Sequence, residues 1–176
     1  MPTQPEPTLV EFIRYNAWAN QQLLAACADL GEDLLTASIP GAYGSIRAVL
    51  RHLLRAEADY LNRINGVHLQ PAFSWEEAPS LTDLAAYAAQ LGAAFLETVQ
   101  RVPPTQNVHE EEDGKTIDYQ ARQLFMQAVN HGIEHRTNIT TFLNTHGRPV
   151  PELDGWGYLF AHPDRFALQE GEVPDA

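Results

Sequence analysis

Basic residues are scarce in this chain of 176 residues: Lys and Arg number 11 against 23 Asp and Glu, a net charge of −12 with histidines neutral. Phosphate backbones and anionic membranes are bound through clustered Lys and Arg, so nucleic acid and membrane surfaces are not expected partners. Cysteine is nearly absent. Cys27 stands alone, which excludes an intrachain disulfide and a cysteine-based zinc finger and fits a reducing, cytoplasmic setting. No apolar run approaches the ~18 residues of a membrane span. The start, Met1-Pro-Thr-Gln-Pro-Glu-Pro-Thr8, has neither the basic nor the apolar region of a secretion signal. A hydrophobic fraction of 44% with 9% aromatics is ordinary for a folded globular chain and excludes wholesale disorder. At roughly 100–200 residues per domain, one domain is expected, able to bury about two-thirds of its unfolded surface unaided. Any metal would then serve function more than folding.

The hydrophobic spacing is helical almost throughout. Leu9, Phe12, Ile13, Leu23, Leu24 and Cys27 recur at intervals of three and four with no glycine or proline between them, predicting a first helix over 9–30. Pro40, Gly41 and Gly44 then mark a loop. Ser45 is placed to cap a second helix carrying Ile46, Val49, Leu50, Leu53, Leu54, Leu61 and Ile64, ending near Gly66. Ser80-Leu-Thr-Asp83 is a capping-box variant that opens a third helix, stopped at Pro103-Pro104. Glu110-Glu-Glu-Asp-Gly114 contains a favoured hairpin turn, Asp-Gly, between Val108 and Ile117, and predicts a small β-hairpin. Leu124, Phe125, Ala128, Ile139, Phe142 and Leu143 predict a fourth long helix over 119–145, closed by Gly147 and Pro149. The aromatic stretch Asp154 to Phe166 should dock as a short helix or turn. The fold class expected is all-α: a four-helix bundle spanning residues 9–166, with a flexible N-terminus (1–8), a flexible tail (167–176) and function seated between the helices.

Seven histidines are present, and three fall within strong helical patterns: His52 on the second helix, His131 and His135 on the fourth. At about 100° per residue from Leu124, His131 falls near 340° and His135 near 20°, amid Ala128 at about 40° and Ile139 at about 60°. Both imidazoles therefore face the core. Four residues apart, their Cβ atoms lie roughly 5–6 Å from each other, a spacing that lets two nitrogens meet one ion with bonds of about 2.0–2.1 Å. A pair of merely hydrogen-bonded core histidines is the alternative, although packing alone gains little from paired imidazoles. His52 sits just off the core at a helix edge, compatible with the mouth of a cleft. Glu57 lies on the apolar stripe of the same helix, where a carboxylate needs a partner. It is either a second-sphere partner of a metal-bound histidine or an acid/base, or a structural hydrogen-bond hub reaching Trp18 or Asn20. Asn16 and Asn20 are weighed in the same way.

Tyr15-Asn-Ala-Trp-Ala-Asn20, His52-Leu-Leu-Arg-Ala-Glu57, the Asp113-Gly114 hairpin and His131-Gly-Ile-Glu-His135-Arg136 resemble the DinB family in order and spacing, over roughly residues 8 to 160. The resemblance implies an up-down-down-up four-helix bundle, commonly a homodimer, holding a divalent metal through His52, His131 and His135. The resemblance also implies a place among metalloenzymes that use low-molecular-weight thiols, with stress-response and detoxifying roles. Three neutral imidazoles with open positions suit zinc, nickel, manganese or iron. The expected function is therefore metal-dependent transfer, of the thiol S-transferase type, or hydrolysis, with a metal-bound thiolate or water attacking a small electrophilic substrate. At Thr137-Asn138 the chain departs from the Gly-Gln common in the family, which leaves the ligand positions intact and the substrate open. Two other readings stand: a non-catalytic metal-binding module, and a zinc peptidase, since His131 to His135 also spells H-x-x-E-H with Glu134 as general base. The acidic run from Glu110 lacks the alternating ligand spacing of a calcium loop and reads as a solvated hairpin tip. Cys27 reads as a small buried residue. His68, His109, His146 and His162 carry no assigned role.

Overall fold

The computed structural model describes residues 7–112 and 114–166. Most of the expected flexible N-terminus, the tail at 167–176 and the turn residue Asp113 lie outside the described residues. Residues 7 and 8, expected to be flexible, already belong to helix α1 (Pro7–Cys27), with Pro7 in the first helical position, where its missing N–H and fixed φ suit it.

The chain then forms a short helix α2 (Glu32–Thr36) and a two-residue antiparallel pairing of β1 (Ser38–Ile39) with β2 (Gly44–Ser45). Of this region the sequence marks only the break at Pro40, Gly41 and Gly44, since elements this short carry no legible period. Ser45 caps helix α3 (Ile46–Asn65) by accepting from the Ala48 N–H at 3.3 Å, and Gly66 ends it in the left-handed region at φ 71°. Helix α4 (Leu81–Arg101) opens on a complete capping box between Ser80 and Asp83. The expected hairpin is formed by β3 (Asn107–Glu112) and β4 (Lys115–Gln120), with Val108 opposite Tyr119 and Glu110 opposite Ile117. Helix α5 (Ala121–Thr145) follows directly, and α6 (Gly155–Ala161) is capped by Asp154, whose carboxylate accepts from the Gly157 N–H at 2.8 Å. A 3-10 turn at Pro163–Phe166 ends the described chain.

The protein is thus mostly helical, with two small hairpin sheets. Of the four long helices, α1 packs on α4 and α5, and α3 packs on the same two. Leu23, Leu50, Leu54, Leu91, Phe125 and Ile139 meet in a single core, each burial stabilising by about 1.5–3 kcal/mol. Gly92 lets α1 come close to α4, since a Cβ there would lie 2.8 Å from the Ala17 Cβ. Helix α6 docks on α1, where the Tyr158 hydroxyl donates to the Glu11 carboxylate at 2.6 Å. The β1–β2 pairing lies against the start of α3 and touches α5. That contact brings an exposed loop to the face where the histidines meet. Among the described residues, no helix is long and apolar enough to cross a membrane.

Candidate metal centre

His52 lies in the second turn of α3, whose start is set by the Ser45 cap; His131 and His135 lie one turn apart on α5. Packing of α3 on α5 brings the three together. The His131 Nε2 atom is 3.1 Å from His52 Nε2 and 2.9 Å from His135 Nε2. Among the described residues this is the group of three or more His, Cys, Asp or Glu side chains whose ligand atoms converge, all within 4.8 Å of one another.

Hydrogen bonding among the imidazoles explains this arrangement poorly. A ring nitrogen carries either a proton or a lone pair, so His131 Nε2 cannot donate to one neighbour while accepting from the other. A cation at their meeting point uses all three lone pairs at once. Nitrogens bound to one ion at about 2.0–2.1 Å sit about 2.8–3.4 Å apart for bond angles between a right angle and the tetrahedral one, a range that holds both separations found here. The electrostatics agree with ligand duty. His131 and His135 are 8% and 7% exposed. Burial, and after it the neighbouring His135 and His52, pushes His131 down to about 4. Burial also lowers His52 and His135, opposed at both by the Glu134 carboxylate. All three are therefore neutral near pH 7, the form that binds a metal.

The rings are walled by aromatics that sequence reading did not select. Tyr43, on the β1–β2 turn, stacks on His52 with centroids 3.9 Å apart and planes 18° apart. Tyr60, two turns beyond His52 on α3, stands edge-on to His131 at 6.0 Å. Gly41 and Gly44 around a lone tyrosine were the only sequence signal for the first; Tyr60 had none.

Glu57, Asn16 and Asn20, weighed as partners for the imidazoles, instead bond one another and Arg136. The Asn16 and Asn20 amides donate to the Glu57 carboxylate at 2.7 and 2.9 Å. Arg136 Nη1 donates to the Asn16 and Asn20 carbonyl oxygens at 2.8 and 2.6 Å. Glu57 is thus the hub considered from sequence, although its partners are the two asparagines and not Trp18. The buried Nδ1 atoms of His131 and His135 have no hydrogen-bond partner among the described residues. Burial drives the Glu57 carboxyl up, against the pull of Asn20, Asn16 and Arg136, and drives Arg136 down, against Tyr15 and Glu57. Two asparagines relay between the buried acid and the buried base, tying α1, α3 and α5 together beside the histidines. Gly132 makes room for this relay: a Cβ there would overlap Asn16 Oδ1 and lie 2.5 Å from Arg136 Nη1.

Glu134 is exposed, and its charge is felt at His52 and His135. Cys27 is buried, and its thiol is pushed up to about 12 by desolvation, which leaves it unreactive. In the acidic hairpin, Glu110 pairs with Arg63 at 3.1 Å. His109 pairs with Asp118 at 2.7 Å on the surface, and His146 and His162 bond backbone carbonyls one turn earlier. A groove of about 380 Å³ lined by Phe12, Tyr15, Ile133, Tyr158 and Phe166 contains none of the three clustered histidines.

The family model described as the DinB family matches residues 1–171. Protein DinB of Bacillus subtilis (strain 168) is 25% identical over 156 residues, an alignment covering 83% of this chain and 90% of that relative. On the extent of that match, the chain belongs to the DinB family.

Proposed function

We propose that the protein is a metal-dependent enzyme of the thiol S-transferase type, with His52, His131 and His135 as ligands of one divalent ion. The observation that carries the reading is the meeting of three neutral imidazole nitrogens at 2.9 and 3.1 Å on two packed helices. A zinc, nickel, manganese or iron ion held there supplies Lewis acidity that lowers the pKa of a thiol or a water molecule. The chain's own part is to present three lone pairs and to keep the imidazoles unprotonated by burial. His52 is half-buried at the helix edge, with Tyr43 stacked on its ring. With a small thiol and an aryl chloride as substrates, a C–S bond forms, chloride leaves and the thiol proton goes to solvent. Residues 9–166 form the single domain of this reading, an up-down-down-up four-helix bundle, which the mutual packing of the four long helices supports. A homodimer in the cytoplasm, acting on small molecules in a detoxifying or stress-response role, completes it.

The test is metal content per chain on untagged protein, for wild type and for His52→Ala, His131→Ala and His135→Ala. About one divalent ion in wild type, lost in each variant with the helical circular-dichroism spectrum retained, is expected. Wild type that takes up none of zinc, nickel, manganese or iron overturns the reading. Turnover of cysteine with 1-chloro-2,4-dinitrobenzene that needs the metal separates the enzyme from a non-catalytic metal-binding module. The peptidase reading keeps Glu134 as base, its charge being felt at two of the imidazoles; it requires that Glu134→Gln abolish cleavage of an unfolded protein while metal stays bound.

A further inference from the structure

Arg136 is a buried cation that no acid touches. It is 2% exposed, its Nη1 is spent on the Asn16 and Asn20 carbonyl oxygens, and among the described residues no carboxylate bonds to it. Its Nη2 is buried and has no hydrogen-bond partner. Guanidinium N–H groups left unpaired in an interior cost free energy that the relay to Glu57 does not return. The same side chain walls a cavity of about 210 Å³ between α1, α5 and the segment leading into α6, together with Tyr15, Thr137, Thr140 and Asp154. Nη1 faces the α1 asparagines, which leaves Nη2 as the donor available on the cavity side. The Tyr15 ring lies 5.7 Å from Arg136 Cζ, but its hydroxyl donates to the Leu153 carbonyl at 2.7 Å. The two acids nearby have other partners: Asp154 Oδ1 accepts from the Gly157 N–H, and Glu11 is held by Tyr158 and Arg165.

Tyr15 and Ile133 also wall the groove of about 380 Å³, whose other sides include the rings of Phe12, Tyr158 and Phe166. Meeting at these two residues, the cavities make a cleft that is apolar along most of its length and cationic at one end. Its size is that of small-ligand pockets, about 300–1,000 Å³. At about 100° per residue, Ile133 falls about 160° around α5 from both His131 and His135, so the cleft and the histidines lie on opposite sides of that helix.

We propose that this cleft binds a small carboxylic acid with an apolar tail, the carboxylate taken by Arg136 Nη2 and the tail lying on Phe12, Ile133 and Phe166. The site does not rest on the metal reading. The test is an NMR titration of the 15N-labelled full-length chain with octanoate and with 1-octanol, equal in length and different in charge. Octanoate should bind at least about 10-fold more tightly, the contribution of one charge-assisted hydrogen bond, and both probes should shift the Gly155 amide at the groove. Thr140→Asp sets a carboxylate one turn from Arg136 and should remove the octanoate advantage while octanol binds as in wild type; Thr140→Asn should keep it. Ile133→Trp, at a position 45% exposed, should block both probes, and His131→Ala should alter neither. Equal affinities in wild type, no binding of either probe at millimolar concentration, or an octanoate advantage that survives Thr140→Asp overturns the proposal. So does an advantage lost equally in Thr140→Asn, which would make Thr140 and not the charge responsible. An advantage lost in His131→Ala overturns it too, by placing the carboxylate at the histidines.

Discussion

Alanine in place of a helical glycine ordinarily stabilises a protein, by about 1 kcal/mol in a helix interior. Gly132→Ala in α5 should do the reverse. The new Cβ would overlap Asn16 Oδ1 and approach Arg136 Nη1 to 2.5 Å and Cζ to 3.1 Å. These are side-chain ends that elsewhere would swing away. Here they are held: Asn16 and Arg136 are 4% and 2% exposed, Asn16 bonds both Glu57 and Arg136, and Arg136 Nη1 bonds both asparagines. Two losses follow. Displacing the Arg136 to Asn16 bond removes a charge-assisted hydrogen bond, about 1.5–3 kcal/mol. Forcing a methyl group into a filled core adds about 1–3 kcal/mol of strain. Set against the propensity gain, the net is a destabilisation of about 3 kcal/mol, or a fall in Tm of roughly 6–12 °C for a chain of this length. Urea unfolding followed by circular dichroism measures it, with the slope m unchanged if the transition stays two-state. Asn16→Ala makes room for the methyl group, so Gly132→Ala should cost at least about 1 kcal/mol less in that background, the signature of a shared contact. A Gly132→Ala chain as stable as wild type, or more so, would refute the packing described here.

Arg136→Met removes the two charge-assisted hydrogen bonds to the Asn16 and Asn20 carbonyl oxygens and should destabilise by about 3–6 kcal/mol, read by the same urea titration. Stability of the metal-free chain should fall as pH drops from 6.5 toward 4, because His131 stays neutral to about 4 in the folded chain and titrates near 6.5 when unfolded. The folded state binds fewer protons in that window, so the stability is present above it and lost below. At about 1.4 kcal/mol per pH unit, the loss approaches about 3 kcal/mol, and His131→Phe, lacking the imidazole, should lose less over the same range. Ser80→Ala removes the cap of α4 and should cost about 1 kcal/mol without changing metal content; an unchanged urea midpoint would contradict the capping box.

The helices were legible because their signals are local. Ser45 and Ser80 stand where a helix needs an oxygen for its first N–H groups, Gly66 where it must turn left-handed, and apolar residues recur once per turn between them. His131 and His135 were legible for the same reason, since four residues along one helix set their distance and face before any tertiary contact forms. Glu57 announced only a need: a carboxylate on an apolar stripe must find a partner. Those partners lie 37 and 41 residues earlier, and Arg136 reaches the same two asparagines across 116 and 120 residues, separations over which no periodicity speaks. At about 120° from Leu124 on the α5 wheel, Arg136 lies off the core stripe, and its burial follows from α1 packing there. The β1–β2 pairing is too short to carry a period, so neither it nor the Tyr43 stack on His52 is legible in the sequence. The sequence by itself thus determined the helices, their caps and two of the three converging imidazoles. Only tertiary packing decided that His52 joins them, that Tyr43 covers one side, and that the buried acid bonds to asparagines and not to the histidines, because each depends on which helix faces stack and how closely.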